Sequence, residues 1–128
     1  MELNQYQSAA MKTCMHSSAN WTYMSGLLHE EAGELQGKFD KAIRKGLVSI
    51  DDNQLVPLGT PAQFGEVLAA MKKELGDVMW ACAGIASVLG WSLEDVCQEN
   101  LTKLAARKEA GTIDGAGDGI SGSERKAE

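Results

Sequence analysis

At 128 residues the chain has the length of a single domain, and its 44% hydrophobic content is ordinary for a globular protein. A formal charge of −6 argues against DNA or RNA polymers as ligands, because those reward clustered Lys and Arg. No apolar run approaches the roughly 18 residues of a membrane span. The first residues, MELNQYQSAAMKTC, carry neither the basic start nor the apolar core of a secretory signal. A cytoplasmic protein with no membrane partner is expected. Cys14, Cys82 and Cys97 are odd in number and lack metal-ligand spacing, which fits reduced thiols rather than a disulfide or zinc site.

Helical periodicity dominates the chain. Asn4 followed by Gln7 resembles a capping box and predicts a first helix over roughly 4–16. Ser17, Ser18 and Asn20 interrupt it and can cap a second helix over roughly 20–45. One side of that helix carries Met24, Leu27, Leu28, Leu35, Phe39, Ala42 and Ile43, and Gly46 supplies its stop. Residues 47–60 form a connection with turn chemistry at Asp51-Asp52-Asn53 and Pro57, where the pattern gives only weak support to a short hairpin. Thr60-Pro61 reads as N-cap and first residue of a third helix over 61–89. Its stripe runs from Phe64, Val67 and Leu68 through Met71, Leu75, Val78 and Met79 to Cys82, Ile85 and Leu89. Ser92 with Asp95 opens a fourth helix that reaches about Ala110. From Gly111 the composition turns glycine-rich. The domain is therefore expected over 1–110, all-α and four-helix-bundle-like, with a flexible tail over 111–128. Small residues at Gly76, Ala81, Ala83, Gly84 and Ala86, and the modest size of the core, predict an obligate homo-oligomer, dimer or tetramer.

Two acidic clusters carry the chemistry: Glu31-Ala-Gly-Glu34 and Glu74-Leu-Gly-Asp77. Each pair is spaced i, i+3, so each projects from one helix face. At 100° per residue, Glu31 falls within the apolar stripe of its helix, with Glu34 and Lys38 on its flank. Glu74 borders the stripe of the third helix, and Asp77 lies one step beyond. On the fourth helix Asn100 lies in the middle of the stripe of Leu93, Val96, Cys97 and Leu104, with Lys103 and Arg107 along the same flank. Ionised groups are costly to bury without partners. A solvated face or a structural ion pair such as Glu34–Lys38 would explain either acidic pair alone. Two matched pairs with an inward Asn, Lys and Arg point instead to hard divalent cations held by carboxylate oxygen. Iron bundles of the ferritin-like sort use Glu-x-x-His, and neither His16 nor His29 follows a Glu at that spacing. Mg²⁺ is therefore expected, with Mn²⁺ as a substitute, and His29 reads as a surface residue.

With these motifs in view, the chain resembles the MazG-like, all-α nucleoside triphosphate pyrophosphohydrolases, whose relatives include the dimeric dUTPases. The resemblance rests on Glu30-Glu31-Ala32-Gly33-Glu34 as E-E-x-x-E and on Glu74-Leu75-Gly76-Asp77 as E-x-x-D. It continues through Asn100 to Arg107 as N-x-x-K-x-x-x-R, and covers roughly residues 20–110. It implies that Glu31, Glu34, Glu74 and Asp77 bind Mg²⁺ and are catalytic, while Asn100, Lys103 and Arg107 contact the nucleotide. Two departures stand out. The connection between the acidic motifs is long, suiting a lid, a base-selecting element or an interface arm. Ala70 also stands where some relatives carry a basic residue, leaving Lys38, Lys72 or Lys73 to supply charge.

The expected reaction is hydrolysis of an NTP or dNTP to NMP and pyrophosphate by water attack at the α-phosphorus. Glu34 or Glu31 would orient or deprotonate the water. Guanine nucleotides are the nominal preference. The alternatives are a diphosphatase restricted to dUTP and a catalytically silent helical interaction module. The resemblance extends to bacterial and phage-borne forms, so the cytoplasm meant is that of a bacterium or of a phage's host. Trp21, Tyr23, Trp80 and Trp91 read as core or interface aromatics before stacking surfaces, although Trp80 points opposite its helix's apolar stripe.

Overall fold

In the computed structural model, which describes residues 1–114, the chain is all-α apart from one small hairpin. Helix α1 spans Leu3–Met11, a 3-10 turn spans His16–Ser18, and α2 spans Trp21–Arg44. Strands β1 (Val48–Asp51) and β2 (Gln54–Pro57) follow, then α3 (Pro61–Val88) and α4 (Leu93–Glu109). Residues 115–128 of the expected glycine-rich tail lie outside the described residues.

The long helices α2 and α3 make the body. Asn20 Oδ1 accepts from Tyr23 N at 2.9 Å and starts α2, while Gly46 at φ +67° lets the chain leave it. Thr60 and Gln63 form a reciprocal cap at the start of α3. Thr60 Oγ1 accepts from Gln63 N at 3.2 Å, and Gln63 Oε1 accepts from Thr60 N at 2.9 Å. Met24 lies against Gly84, and Ala42 and Val67 share one buried cluster, so the two helices run antiparallel. Near the Met24 end Gly84 lies directly under the Met24 side chain, while buried Ala83 and Ala86 on another face of α3 pack with Leu93 and α1. A Cβ added at Gly84 would collide with the fully buried Met24 thioether, which would have to leave its packed position. Gly84→Val should therefore lower stability by about 1–3 kcal/mol as overpacking does, and a thermal melt of purified variant and wild type checks it.

The weakly supported hairpin is present. Asp52 (φ 47°) and Asn53 (φ 60°) make a two-residue turn with both φ positive, the geometry whose twist suits a tight antiparallel pair. Asn and Asp tolerate that region because of their short polar side chains. Val48 is buried with Ala42 and Val67, and Leu47 and Leu55 pack on them beside Phe39, Phe64 and Met71. The long connection thus closes one end of the α2–α3 pair.

Helix α1 is shorter than expected, and its cap differs. Gln5, not Gln7, reaches back to the N-terminus, accepting from Glu2 N at 3.0 Å. The helix ends at Met11 because the Ala10 carbonyl is claimed by the Thr13 hydroxyl (2.7 Å) and the Trp80 indole (3.3 Å). Asn4 and Gln7 instead serve another helix. Gln7 Oε1 accepts from Leu93 N at 2.7 Å, and Asn4 Oδ1 accepts from Glu94 N at 3.3 Å and from the Ser92 hydroxyl at 2.8 Å. Together with Ser92 Oγ, which accepts from Asp95 N, they satisfy the backbone donors that open α4. Helix α4 turns through 102° from α3 after Gly90 (φ +72°). Its first turn is buried at Leu93 on α1 and α3, whereas Val96, Leu101 and Leu104 are 40%, 60% and 37% exposed, so most of its apolar stripe is uncovered in the single chain. Among the described residues no single helix is long and apolar enough to cross a membrane.

Candidate active site

Antiparallel packing brings the two acidic motifs together from opposite walls of one groove. Glu31 projects from the middle of α2, and Glu74 and Asp77 from the middle of α3. One carboxylate oxygen from each lies within 4.8 Å of the other two. Glu31 and Glu74 are partly buried and Asp77 is exposed. Lys38, one turn beyond Glu34 on α2, reaches across to Glu74, with Nζ 3.0 Å from Oε1. The structural pair is therefore Lys38–Glu74 rather than Lys38–Glu34, because α3 places its carboxylate opposite that turn of α2.

The electrostatics record the crowding. The Glu31 carboxyl is pushed up, first by partial burial, then by the charges of Asp77, Glu34, Glu30 and Glu74. The Lys38 ammonium is held above its ordinary value chiefly by its hydrogen bond and charge attraction to Glu74, with Glu34 adding to it. Glu34 thus belongs to the same field although its oxygens stand outside the three-oxygen cluster.

Such a donor set suits a hard divalent cation. Oxygens bound to Mg²⁺ at about 2.1 Å can stand no more than about 4.2 Å apart, and wider ligand shells suit larger ions. The observed spread needs only small side-chain rotations to meet that limit. The donors are all carboxylate, the ligand type that selects Mg²⁺ or Mn²⁺ over softer metals.

The remaining residues singled out from the sequence are placed elsewhere. Asn100 and Lys103 are exposed on α4, and Arg107, further along the same helix, is partly buried. Lys103 lines a shallow depression with Gln98, Glu99 and Thr102, in which none of the four carboxylates takes part. Lys72 and Lys73 are exposed on α3. Trp80 finds its partner within the chain, donating to Thr13 Oγ1 at 2.9 Å, and so anchors α1. Trp21, Tyr23 and Trp91 are about half exposed. All three cysteines are free thiols, and burial pushes Cys82 up, with Cys97 adding to it.

Two lysines that sequence reading passed over share the groove. Lys41 and Lys45 line, with Lys38, a cavity immediately beyond the carboxylates. Their spacing from Lys38, i+3 and i+7, was a usable signal for one shared face.

The MazG nucleotide pyrophosphohydrolase domain matches residues 20–112, the whole stretch from the N-cap of α2 to just past α4. The Gene 37 protein of Mycobacterium phage L5 is 32% identical over 127 residues, covering 92% of this chain and 98% of that protein. No solved structure matches the chain.

Proposed function

The chain belongs to the MazG nucleotide pyrophosphohydrolase family, and from that premise we propose that it is a Mg²⁺-dependent pyrophosphohydrolase of nucleoside triphosphates, cleaving an NTP or dNTP to NMP and pyrophosphate. The convergence of Glu31, Glu74 and Asp77 in the α2–α3 groove carries this reading. A divalent ion held there supplies charge neutralisation for the phosphates and activation of water.

The chain's own residues divide the remaining work. Glu31, Glu74 and Asp77 hold the ion, with Mn²⁺ an acceptable substitute. Glu34 stands one turn along, inside their field and outside their cluster, and is assigned as the group that takes the proton from the attacking water. The water oxygen bonds to the α-phosphorus, and the bond to the bridging oxygen of the β-phosphate breaks. Pyrophosphate leaves with that oxygen. Lys38 lies beside Glu74 and can turn to a phosphate oxygen once the charge of Glu74 is balanced elsewhere. Asn100, Lys103 and Arg107 stand on a helix whose apolar face is bare in the single chain. A second copy of the chain, in a homodimer or homotetramer, would cover that face and bring the three residues to a carboxylate cluster.

The test is release of pyrophosphate from a panel of NTPs and dNTPs with Mg²⁺, with Mn²⁺ and with EDTA. Metal-dependent formation of NMP plus pyrophosphate is expected, with guanine nucleotides among the better substrates. Turnover confined to dUTP would make the protein a dUTP diphosphatase instead. No turnover by the folded protein across the panel would leave a helical interaction module.

A further inference from the structure

The groove between α2 and α3 changes sign along its length. Glu31, Glu34, Glu74 and Asp77 occupy its middle, and toward the hairpin α2 presents Lys38, Lys41 and Lys45. At 100° per residue these three lysines fall within an arc of about 60° on one face. They line a cavity of about 290 Å³ with Leu47, Gln63 and Glu66. On the α3 wall Ala70 also borders this space, and its small side chain leaves the cavity open. With Lys38 paired to Glu74, the ammonium groups of Lys41 and Lys45 against the one carboxylate of Glu66 still leave the hollow cationic in a chain of net charge −6. It lies just under the roughly 300–1,000 Å³ of pockets that enclose a whole drug-sized ligand, so it suits part of a nucleotide.

Lys38 joins the two regions, since it lines the hollow and also holds Glu74. At 1.5 Å rise per residue Lys41 lies about 4.5 Å and Lys45 about 10.5 Å further along the helix axis from Lys38. A polyanion leaving the carboxylates toward the hairpin would therefore meet one ammonium after another. In the opposite direction helical spacing puts the partly buried Leu27, Leu28 and Val78 next along the same faces, and these offer no charge to phosphates.

Resting on the pyrophosphohydrolase reading, we propose that the Lys38–Lys41–Lys45 hollow receives the β- and γ-phosphates. The nucleotide then lies with its α-phosphorus at the carboxylates and its nucleoside directed away from the hairpin. The hairpin closes the phosphate end of the groove and plays no part in selecting the base. The hollow is also the release site of the pyrophosphate product.

Calorimetric titration of the full chain with inorganic pyrophosphate and, separately, with a nucleoside monophosphate, both in Mg²⁺, tests this. Lys41→Ala/Lys45→Ala should weaken pyrophosphate affinity tenfold or more and change monophosphate affinity less than twofold. Both lysines are exposed, so the fold should survive, and an unchanged melting temperature verifies it. Lys12→Ala/Arg44→Ala removes the same charge outside the hollow, at two exposed residues, and should leave pyrophosphate affinity within twofold. The proposal is overturned if pyrophosphate binds the first variant as it binds wild type, if monophosphate affinity falls equally, or if the second variant loses as much. Because binding is read without turnover, failure to hydrolyse any NTP counts against the pyrophosphohydrolase reading alone.

Discussion

Glu74→Gln and Asp77→Asn should each lower hydrolysis by roughly 10³-fold, since a divalent ion at a phosphoryl centre stabilises the transition state by several kcal/mol and each 1.36 kcal/mol is tenfold in rate. The fold should be retained in both. Neither carboxylate is fully buried, and the one ion pair lost, Lys38–Glu74, has a 41% exposed lysine side chain, so solvent screens it and little stability goes with it. Metal-free stability gives an independent reading. Glu31 titrates above its ordinary value because it is partly buried and faces Asp77 and three other carboxylates. A carboxyl whose folded-state pKa lies above its unfolded one lowers stability once pH exceeds both. Removing the Asp77 charge relieves part of that cost, so metal-free Asp77→Asn should melt at or above wild type at neutral pH. Wild type should gain roughly 5–15 °C in saturating Mg²⁺ by mass action, and the variant should lose most of that gain. Differential scanning calorimetry with and without EDTA checks both signs. Full activity in both variants would remove the metal assignment.

Much of the body was legible because its signals are local. Asn20, Thr60-Pro61, Gly46 and Ser92 mark helix ends through hydrogen bonds that span three or four residues, and the structure places those ends within a residue or two. The juxtaposition of the acidic motifs follows from two amphipathic faces that must meet. What stayed hidden depends on contacts distant in sequence. Asn4 and Gln7 look like a cap for their own helix, yet their amides bond to Leu93 and Glu94 some 85–90 positions away. Trp80 points off its helix's stripe because α1 lies there, and nothing in the sequence around either residue announces the Thr13 hydroxyl as its partner. Lys41 and Lys45 share a helix face, but the hairpin and α3 that close the other sides of their cavity are distant in sequence. The wheel placed Asn100 within an inward stripe, and the chain turns that stripe outward at Gly90.

That last placement makes the strongest claim on assembly. Leu101 is 60% exposed on α4, and Leu75 is 50% exposed on α3 one residue from Glu74, so each apolar face is bare beside functional residues. If a second copy covers them, Leu101→Glu should reduce the mass seen by light scattering to that of one chain and reduce hydrolysis with it. A mixing experiment separates assembly from site sharing. Glu74→Gln lacks a carboxylate and Lys103→Ala/Arg107→Ala lacks two cations, and the latter should lose roughly 10²–10³-fold or more if those donors face developing charge. When the two inactive proteins are unfolded and refolded together, half of randomly assembled two-fold dimers contain one of each. In a mixed dimer, one site would take its carboxylates and its cations from unaltered elements of different chains, so activity should return to about one quarter of wild type. No recovery in a mixture shown to contain mixed dimers would mean that α4 serves its own chain. The bend after Gly90 would then have to open on nucleotide binding, and the exposed leucines would need another explanation.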